Sequence, residues 1–352
     1  MSKYWSDLVK RLNPYKPGEQ PFVGQVTKLN NNENPYGPSP KVLSAIETQL
    51  SDELRLYPPP GGDSLKQAIA RYLGLKVEQV FLGNGSDEVL AHVFNSLLKK
   101  REPVLFPDIT YSFYPVFCQL FGIQYKEIPL NDNLGIDVSD YIQPNGGIIF
   151  PNPNAPTGLT LPLDKIEWLL ESNRDSVVVI DEAYIDFGGL SAVGLINKSP
   201  NLIITQTMSK SRSLAGMRIG YALGSEDLIE GLDRVKNSFN SYPLGNLQIS
   251  AGVAAINDHD YFIQTCQSVI ASRTALSEDL QKLGFEVIPS LGNFVFIRHS
   301  DRPATEINSC LIKKGIFTRH FSHPRINNFL RITVGTEDQH KVLISELHVI
   351  LS

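Results

Sequence analysis

Cysteine is scarce in this chain: three in 352 residues, Cys118, Cys266 and Cys310, widely spaced and without a CxxC pair. So sparse and odd a set excludes a disulfide framework or a zinc knuckle, and fits reduced thiols in a cytoplasmic setting. Nowhere does an apolar run approach the ~18 residues of a membrane span. The opening Met1–Arg11 mixes Lys3, Asp7 and Lys10 with Trp5, so a signal peptide's apolar stretch is not expected there. Positive charge is not in excess either: 32 Lys and Arg stand against 37 Asp and Glu, a net −5 that argues against a nucleic-acid footprint. Fixed-period repeats and low-complexity tracts are absent. What remains is ordinary globular material, 42% hydrophobic and 20% charged. Its length suggests about two domains. A cytoplasmic enzyme with no metal site is the expectation.

The first forty residues are rich in Pro, Asn and Gly (Asn13-Pro14-Tyr15, Lys16-Pro17-Gly18, Asn34-Pro35-Tyr36-Gly37-Pro38) and read as an extended arm. Residues 41–50 have helical spacing, and Asp63 reads as the N-cap of a helix to about Leu73. From Val80 short apolar runs alternate with amphipathic stretches. Strands are expected at 80–82, 104–106, 147–150, 177–180, 202–205 and 219–223, and helices at 87–99, 111–121 and 163–173. Runs such as Val177-Val178-Val179-Ile180 are apolar on both faces, as strands of a covered parallel sheet must be. That alternation predicts an α/β domain with a mostly parallel sheet sandwiched by helices. Helices at about 245–257, 260–283, 304–314 and 337–350, mixed with short strands, predict a smaller α+β domain. The division reads as an arm with part of the small domain (1–44), a large domain (45–244) and a small C-terminal domain (245–352).

Four motifs sit at ends of predicted strands, where an open α/β sheet places its ligand. Leu82-Gly83-Asn84-Gly85-Ser86-Asp87-Glu88 leads a strand into a helix through small residues, whose amides can cradle an anion. It is neither a Walker loop nor GxGxxG, and alone it reads equally as a capped turn. Pro151-Asn152-Pro153-Asn154-Ala155-Pro156-Thr157-Gly158 is by itself a turn. Ile180-Asp181-Glu182-Ala183-Tyr184 closes an apolar strand with a carboxylate that, if buried, needs a cationic partner such as a protonated ring nitrogen. The alternative is Asp181 as a helix cap with Tyr184 in the core. Thr205-Gln206-Thr207-Met208-Ser209-Lys210 places an amine among hydroxyls, with Arg218 eight residues on. A lysine among apolar neighbours can form a Schiff base, and hydroxyls with an arginine suit a phosphate. Singly, Lys210 reads as a surface cation. Together the four motifs supply the inventory for pyridoxal 5′-phosphate.

The order Gly-Ser-Asp-Glu, Pro-Thr-Gly turn, Asp-Glu-Ala-Tyr, Ser-Lys, Gly-x-Arg resembles that of the fold-type I pyridoxal-phosphate-dependent aminotransferases, most nearly those acting on histidinol phosphate. Leu29-Asn30-Asn31-Asn32-Glu33-Asn34-Pro35-Tyr36-Gly37, Arg55-Leu56-Tyr57-Pro58 and Leu330-Arg331-Ile332-Thr333-Val334-Gly335-Thr336 support the likeness, which spans Tyr15 to Thr336. The resemblance implies that Lys210 binds the cofactor covalently and carries the proton, that Asp181 pairs with its ring nitrogen, and that Tyr184 donates to its ring oxygen. Tyr111 is implied to stack on the ring. Gly85, Ser86, Asp87, Thr207, Ser209 and Arg218 are implied around the phosphate, with Tyr57 reaching in from the other subunit of a homodimer whose active sites are shared. Tyr15, Arg319 and Arg331 are implied to bind substrate. Two guanidinium groups suit a site that accepts both a phosphate monoester and a dicarboxylic acid.

The pattern departs from the family at one place. Relatives usually carry Asn just before Pro-Thr-Gly, whereas this chain has Ala155, with Asn154 one step earlier. Either Asn154 reaches the ring oxygen through an altered turn, or Tyr184 holds it alone. The expected reaction is transfer of the amino group between L-histidinol phosphate and 2-oxoglutarate, giving imidazole acetol phosphate and L-glutamate, within histidine biosynthesis. An aromatic amino acid aminotransferase and a threonine-phosphate decarboxylase are the alternatives that share the same cofactor. A regulatory domain without turnover is disfavoured by the short, proline-rich arm. A dinucleotide-binding dehydrogenase is disfavoured by the missing GxGxxG.

Overall fold

The computed structural model describes residues 2–15 and 26–352. The Lys16-Pro17-Gly18 portion of the expected arm lies outside the described residues. Within the arm, Asp7–Arg11 forms a short helix, α1, instead of extended chain. Ser6 caps it, and Asp7 and Lys10-Arg11 oppose the partial charges of its two ends. Strand β1 (Thr27–Lys28), helix α2 (Pro40–Glu47) and helix α3 (Asp63–Leu73) follow. Asp63 is the first residue of α3 and not its cap. Gly62 holds the cap position at φ 61°, a left-handed conformation suited to glycine.

Seven strands form the large sheet: β2 (Val80–Asn84), β3 (Val104–Pro107), β4 (Tyr125–Ile128), β5 (Gly147–Pro151), β6 (Val178–Asp181), β7 (Leu202–Thr207) and β8 (Ile219–Gly224). Their order is β2-β8-β7-β6-β5-β3-β4, with β8 antiparallel to both neighbours and every other pairing parallel. Edge strand β4 escapes a reading by apolar runs because only Ile128 of Tyr-Lys-Glu-Ile is buried. Residues alternate between two cores, as a doubly covered sheet requires. Val178 and Ile180 face one, which also takes Leu65 and Ile69 of α3 and Ile166 and Leu169 of α6 (Leu163–Ser172); Val179 faces the other.

That second core takes Val89 and Val93 of α4 (Ser86–Val93), Phe117 of α5 (Tyr114–Phe121) and Ile229 and Leu232 of α7 (Glu226–Asn237). The helix expected over 87–99 is regular only to Val93, and Phe94–Leu98 continues as a wider π turn. The one expected from 111 starts at Tyr114, where Pro115 occupies the first turn without needing an amide partner.

Beyond the sheet, α8 (Asn246–Asn257) comes after residue 244 in sequence yet packs into the first core through Ile249, Ala251 and Ala255. The 24-residue α9 (His259–Lys282) leads to a four-stranded antiparallel sheet, order β12-β13-β10-β9. Its strands are β9 (Phe285–Ile288), β10 (Phe294–His299), β12 (Arg319–His320) and β13 (Leu330–Thr333). Helices α10 (Ala304–Lys313) and α11 (Glu337–Leu351) cover it, and β11 (Ile316–Phe317) pairs parallel with β1. β1 and β11 form a separate two-stranded sheet, and just beyond it the Leu29 carbonyl accepts from the Thr333 N–H at 2.9 Å, which ties the N-terminal segment to β13. Among the described residues no helix is long and apolar enough to cross a membrane.

Candidate active site

A cavity of about 250 Å³ opens at the carboxyl ends of β5, β6 and β7, closed on the far side by the Asn30–Asn34 segment and by β12 and β13. Such sheets gather ligands there because the strand ends leave a crevice and the following loops supply polar groups. Ser86, Asp87, Tyr111, Asp181, Tyr184, Thr207, Ser209, Lys210, Arg218, Tyr15, Arg319 and Arg331 all line it.

Asp181 ends β6 and is buried, 4% exposed. Burial pushes its carboxyl up to about 6, against the pull of the Tyr114 hydroxyl, which donates to Oδ2 at 3.1 Å, and the Ala183 N–H, which donates to Oδ1 at 3.3 Å. Among the described residues no cation pairs with it, so the site holds a carboxylate awaiting a positive partner. Neighbouring Glu182 points away from the cavity. It accepts from the Ser191 hydroxyl (2.6 Å), the Ala192 N–H (2.7 Å) and the Gln206 amide (2.7 Å).

The α4 N-terminus forms the anion cradle. Gly85 caps the helix at φ 83° with no side-chain bond to the first-turn amides, so the amides of Ser86 and its neighbours stay available. A β-carbon on Gly85 would strike the Arg218 guanidinium, and one on Gly220 would strike the Gly85–Ser86 backbone. Both glycines are required by close approach. Arg218, left-handed at φ 51°, donates to the Ser209 hydroxyl at 3.4 Å and to the Ala215 carbonyl at 3.2 Å, and lies 3.5 Å from Asp87 Oδ2. Asp87 Oδ1 also accepts from the Tyr111 hydroxyl at 2.8 Å.

Lys210 follows β7. Its Nζ donates to the Asn31 carbonyl at 2.9 Å, and its own carbonyl accepts from the Asn34 amide at 2.9 Å. Behind it Ser211 hydrogen-bonds Asp186. Tyr184 accepts from the Asn32 amide at 3.0 Å. On the small-sheet wall, Arg331 donates from Nη2 to the Asn30 carbonyl at 2.8 Å while its Nε has no partner among the described residues. Burial, and after it the neighbouring Arg319 charge, lower its affinity for its proton. Tyr15 packs against Phe113 with the rings tilted by 34° and their centroids 4.8 Å apart.

Two of the expected residues lie elsewhere. Asn154 does not reach into the cavity through an altered turn. Its amide donates to the Ile109 carbonyl (3.0 Å) and the Thr157 hydroxyl (3.1 Å), and it is Ala155 and Pro156 that line the wall. Tyr57 is 82% exposed and stacks on Tyr242 at 4.9 Å, away from the cavity of its own chain. Conversely, Tyr114, Asn31, Asn32 and Phe321 belong to the site and went unread. Tyr114 stands within the Thr110–Tyr114 segment that supplies Tyr111, so a scan of that segment for buried hydroxyls could have found it.

The chain matches the model of the family described as aminotransferase class I and II over residues 24–347. A histidinol-phosphate aminotransferase 1 of Pseudomonas aeruginosa is 58% identical over 348 residues, 99% of each chain. That of Methylococcus capsulatus is 58% identical over 347 residues, 99% of this chain and 97% of the other. In fold, the histidinol-phosphate aminotransferase from Sinorhizobium meliloti, solved in complex with pyridoxal-5′-phosphate, superposes with a TM-score of 0.88 at 24% identity, covering 100% of this chain and 98% of that one.

Proposed function

The chain belongs to the aminotransferase class I and II family, and on that premise we propose that it is a pyridoxal 5′-phosphate-dependent transaminase acting on L-histidinol phosphate and 2-oxoglutarate. The observation that carries this reading is the presence in one cavity of a lysine amine and a buried carboxylate that lacks a cation. The residues fit the cofactor: the amine suits its aldehyde, the carboxylate its ring nitrogen, and the open first turn of α4 with Arg218 its phosphate.

When bound, the cofactor supplies an electron sink for the carbon that bears the migrating amino group. Asp181 Oδ atoms hold the proton on the ring nitrogen, and Tyr114 keeps that carboxylate oriented. Lys210 Nζ, which lines the cavity, is the amine that would hold the cofactor through its aldehyde and would move the proton. In the resting chain the Asn31 carbonyl steadies it at 2.9 Å. Tyr184 Oη would offer a proton to the ring oxygen, and Tyr111 would cover the ring face. Ser86, Thr207, Ser209 and Arg218 bind the phosphate. Arg331 and Arg319 take the anionic groups of the two substrates in turn, and Tyr15 closes over them.

A homodimer completes the proposal. Leu50, Leu54 and Leu56 are each more than half exposed beside Tyr57, an apolar surface that a second copy would cover, and a partner's Tyr57 would then approach the phosphate.

The test is direct. Incubated with pyridoxal phosphate, the protein should turn yellow, and borohydride should fix the adduct on Lys210. In a separate, unreduced sample, histidinol phosphate should bleach the visible band, and kcat/KM for it should exceed that for phenylalanine and tyrosine. A colourless protein, release of CO₂ from threonine phosphate, or a preference for the aromatic amino acids would overturn the assignment.

A further inference from the structure

The proton of a tyrosine hydroxyl can point only one way at a time, and the groups behind Tyr184 decide which. Asn32 is fully buried and left-handed at φ 54°, a conformation that asparagine tolerates better than most residues. Its backbone N–H donates to Thr333 Oγ1 at 2.9 Å, and its carbonyl accepts from the Asn293 amide at 2.9 Å. Thr333 Oγ1, already an acceptor there, turns its own proton to Asn32 Oδ1 at 3.2 Å. That contact fixes the amide's orientation: oxygen to Thr333, nitrogen to Tyr184. The nitrogen can only donate, so Tyr184 Oη at 3.0 Å accepts, and its single proton must go elsewhere. The Tyr184 ring is held edge-on by Phe294 at 5.1 Å, and the side chain lines the cavity.

We propose that Asn32 is a positioning residue for Tyr184: its amide donates to Oη and thereby aims the hydroxyl proton into the cavity, at the ring oxygen of the bound cofactor. This rests on the cofactor reading above. Two further observations give it weight. The opposite wall offers no second amide, because Ala155 stands there and the Asn154 amide is committed to Ile109 and Thr157. A hydroxyl that accepts one hydrogen bond also donates a stronger one, by about 10–30%, so the amide behind Tyr184 strengthens the donation from its hydroxyl. Asn32 further belongs to a segment whose neighbours bind Lys210 through the Asn31 carbonyl and Arg331 through the Asn30 carbonyl. The aim of the hydroxyl is thereby tied to the lysine and to the small-sheet arginine.

The readout is the pH midpoint at which the holoenzyme's visible absorption changes. Donation to the ring oxygen favours its deprotonated form, so losing the donor's aim raises that midpoint. Asn32→Gly removes the amide, keeps both backbone bonds and suits the left-handed position. Asn32→Asp keeps the acceptor facing Thr333 and replaces the donor facing Tyr184, and serves if the glycine variant fails to fold. Each should raise the midpoint by about 0.5 to 1 pH unit, the equivalent of one neutral hydrogen bond. In a Tyr184→Phe background, Asn32→Gly should add no further shift. An unchanged midpoint in the single variants, or the same shift persisting without the Tyr184 hydroxyl, overturns the proposal while leaving the cofactor reading intact. A wild-type chain that shows no visible band with pyridoxal phosphate overturns both.

Discussion

Arg319 and Arg331 stand directly opposite one another across the antiparallel pair β12–β13, so both guanidinium groups leave the same face of the small sheet and enter one cavity. Like charges directly opposite in a sheet are destabilising. Here neither is neutralised by a carboxylate among the described residues. Arg331 retains an unpartnered Nε, and both arginines lie over the Phe321 ring, at 5.9 and 5.8 Å. Two adjacent guanidinium groups without a neutralising carboxylate suit an anion, which is what the proposed substrates would supply.

The pair should therefore divide the substrates between them. Arg319→Ala is expected to lower kcat/KM for histidinol phosphate by about 30-fold or more, the loss typical of one partner of a desolvated charge pair. Its effect on glutamate should stay below about tenfold, because Arg331 remains to take a carboxylate. Arg331→Ala should impair both. Steady-state kinetics with each donor checks this, and equal losses for both donors in Arg319→Ala would remove its discriminating role.

Asp181 makes the cofactor-free protein pH-sensitive in a direction that can be worked out. Its carboxyl sits at about 6, above its ordinary 3.8. Between roughly pH 4 and pH 6 the folded state thus keeps a proton that the unfolded chain has lost, and stability falls as pH rises through this window. Asp181→Asn has no such proton to lose. Relative to wild type, the variant should gain roughly 1–3 kcal/mol between pH 4 and pH 7. Urea unfolding of the two cofactor-free proteins at both pH values measures it, and a flat difference would mean that Asp181 carries its charge without penalty.

The frame of this site was legible because it is local in sequence. The Val177–Ile180 run announced a covered strand, the glycines of Gly83–Gly85 announced a tight approach to a helix, and Lys210 followed its strand directly. What stayed hidden is joined only through the fold. Tyr114 meets Asp181 across 67 residues and Asn32 meets Tyr184 across 152, and no periodicity or spacing encodes either contact. Strand β4 was hidden for a different reason, since three of its four side chains face solvent and leave no apolar signature. The place of Asn154 could not be settled by reading either, because the turn decides which of two adjacent side chains faces the cavity.

The segment between β12 and β13 carries Phe321 to the cavity and is tied down by Arg325. Its guanidinium donates to Asp108 Oδ2 at 2.8 Å and to the Leu130 and Asn131 carbonyls at 2.7 and 3.0 Å, bridging the small sheet's loop to the large sheet. Arg325→Ala should leave kcat within about threefold and raise KM for both substrates by roughly 5- to 30-fold, as expected for 1–2 kcal/mol of partly exposed, charge-assisted bonding. Added salt should raise the wild-type KM in the same sense, because the ion pair is only part-shielded. A fall in kcat with KM unchanged would place Arg325 in the chemistry and not in holding the wall.

Tyr57 gives the most discriminating test of a shared site, because its 82% exposure in the single chain leaves its hydroxyl without a role there. If it reaches a partner's phosphate, Tyr57→Phe should weaken cofactor binding by about tenfold, the value of one hydrogen bond to a charged acceptor, with sedimentation unchanged. Lys210→Ala should abolish turnover outright. Mixing Tyr57→Phe with Lys210→Ala subunits then distinguishes a residue acting across the interface from one acting within its chain. In a mixed dimer, the subunit that retains Lys210 receives an intact Tyr57 from its partner. After full exchange of equal amounts, about a quarter of all sites should bind the cofactor with wild-type affinity and turn over at low cofactor concentration. If Tyr57 serves only its own chain, mixing restores no tight site, and the homodimer would have to be justified by the exposed Leu50, Leu54 and Leu56 alone.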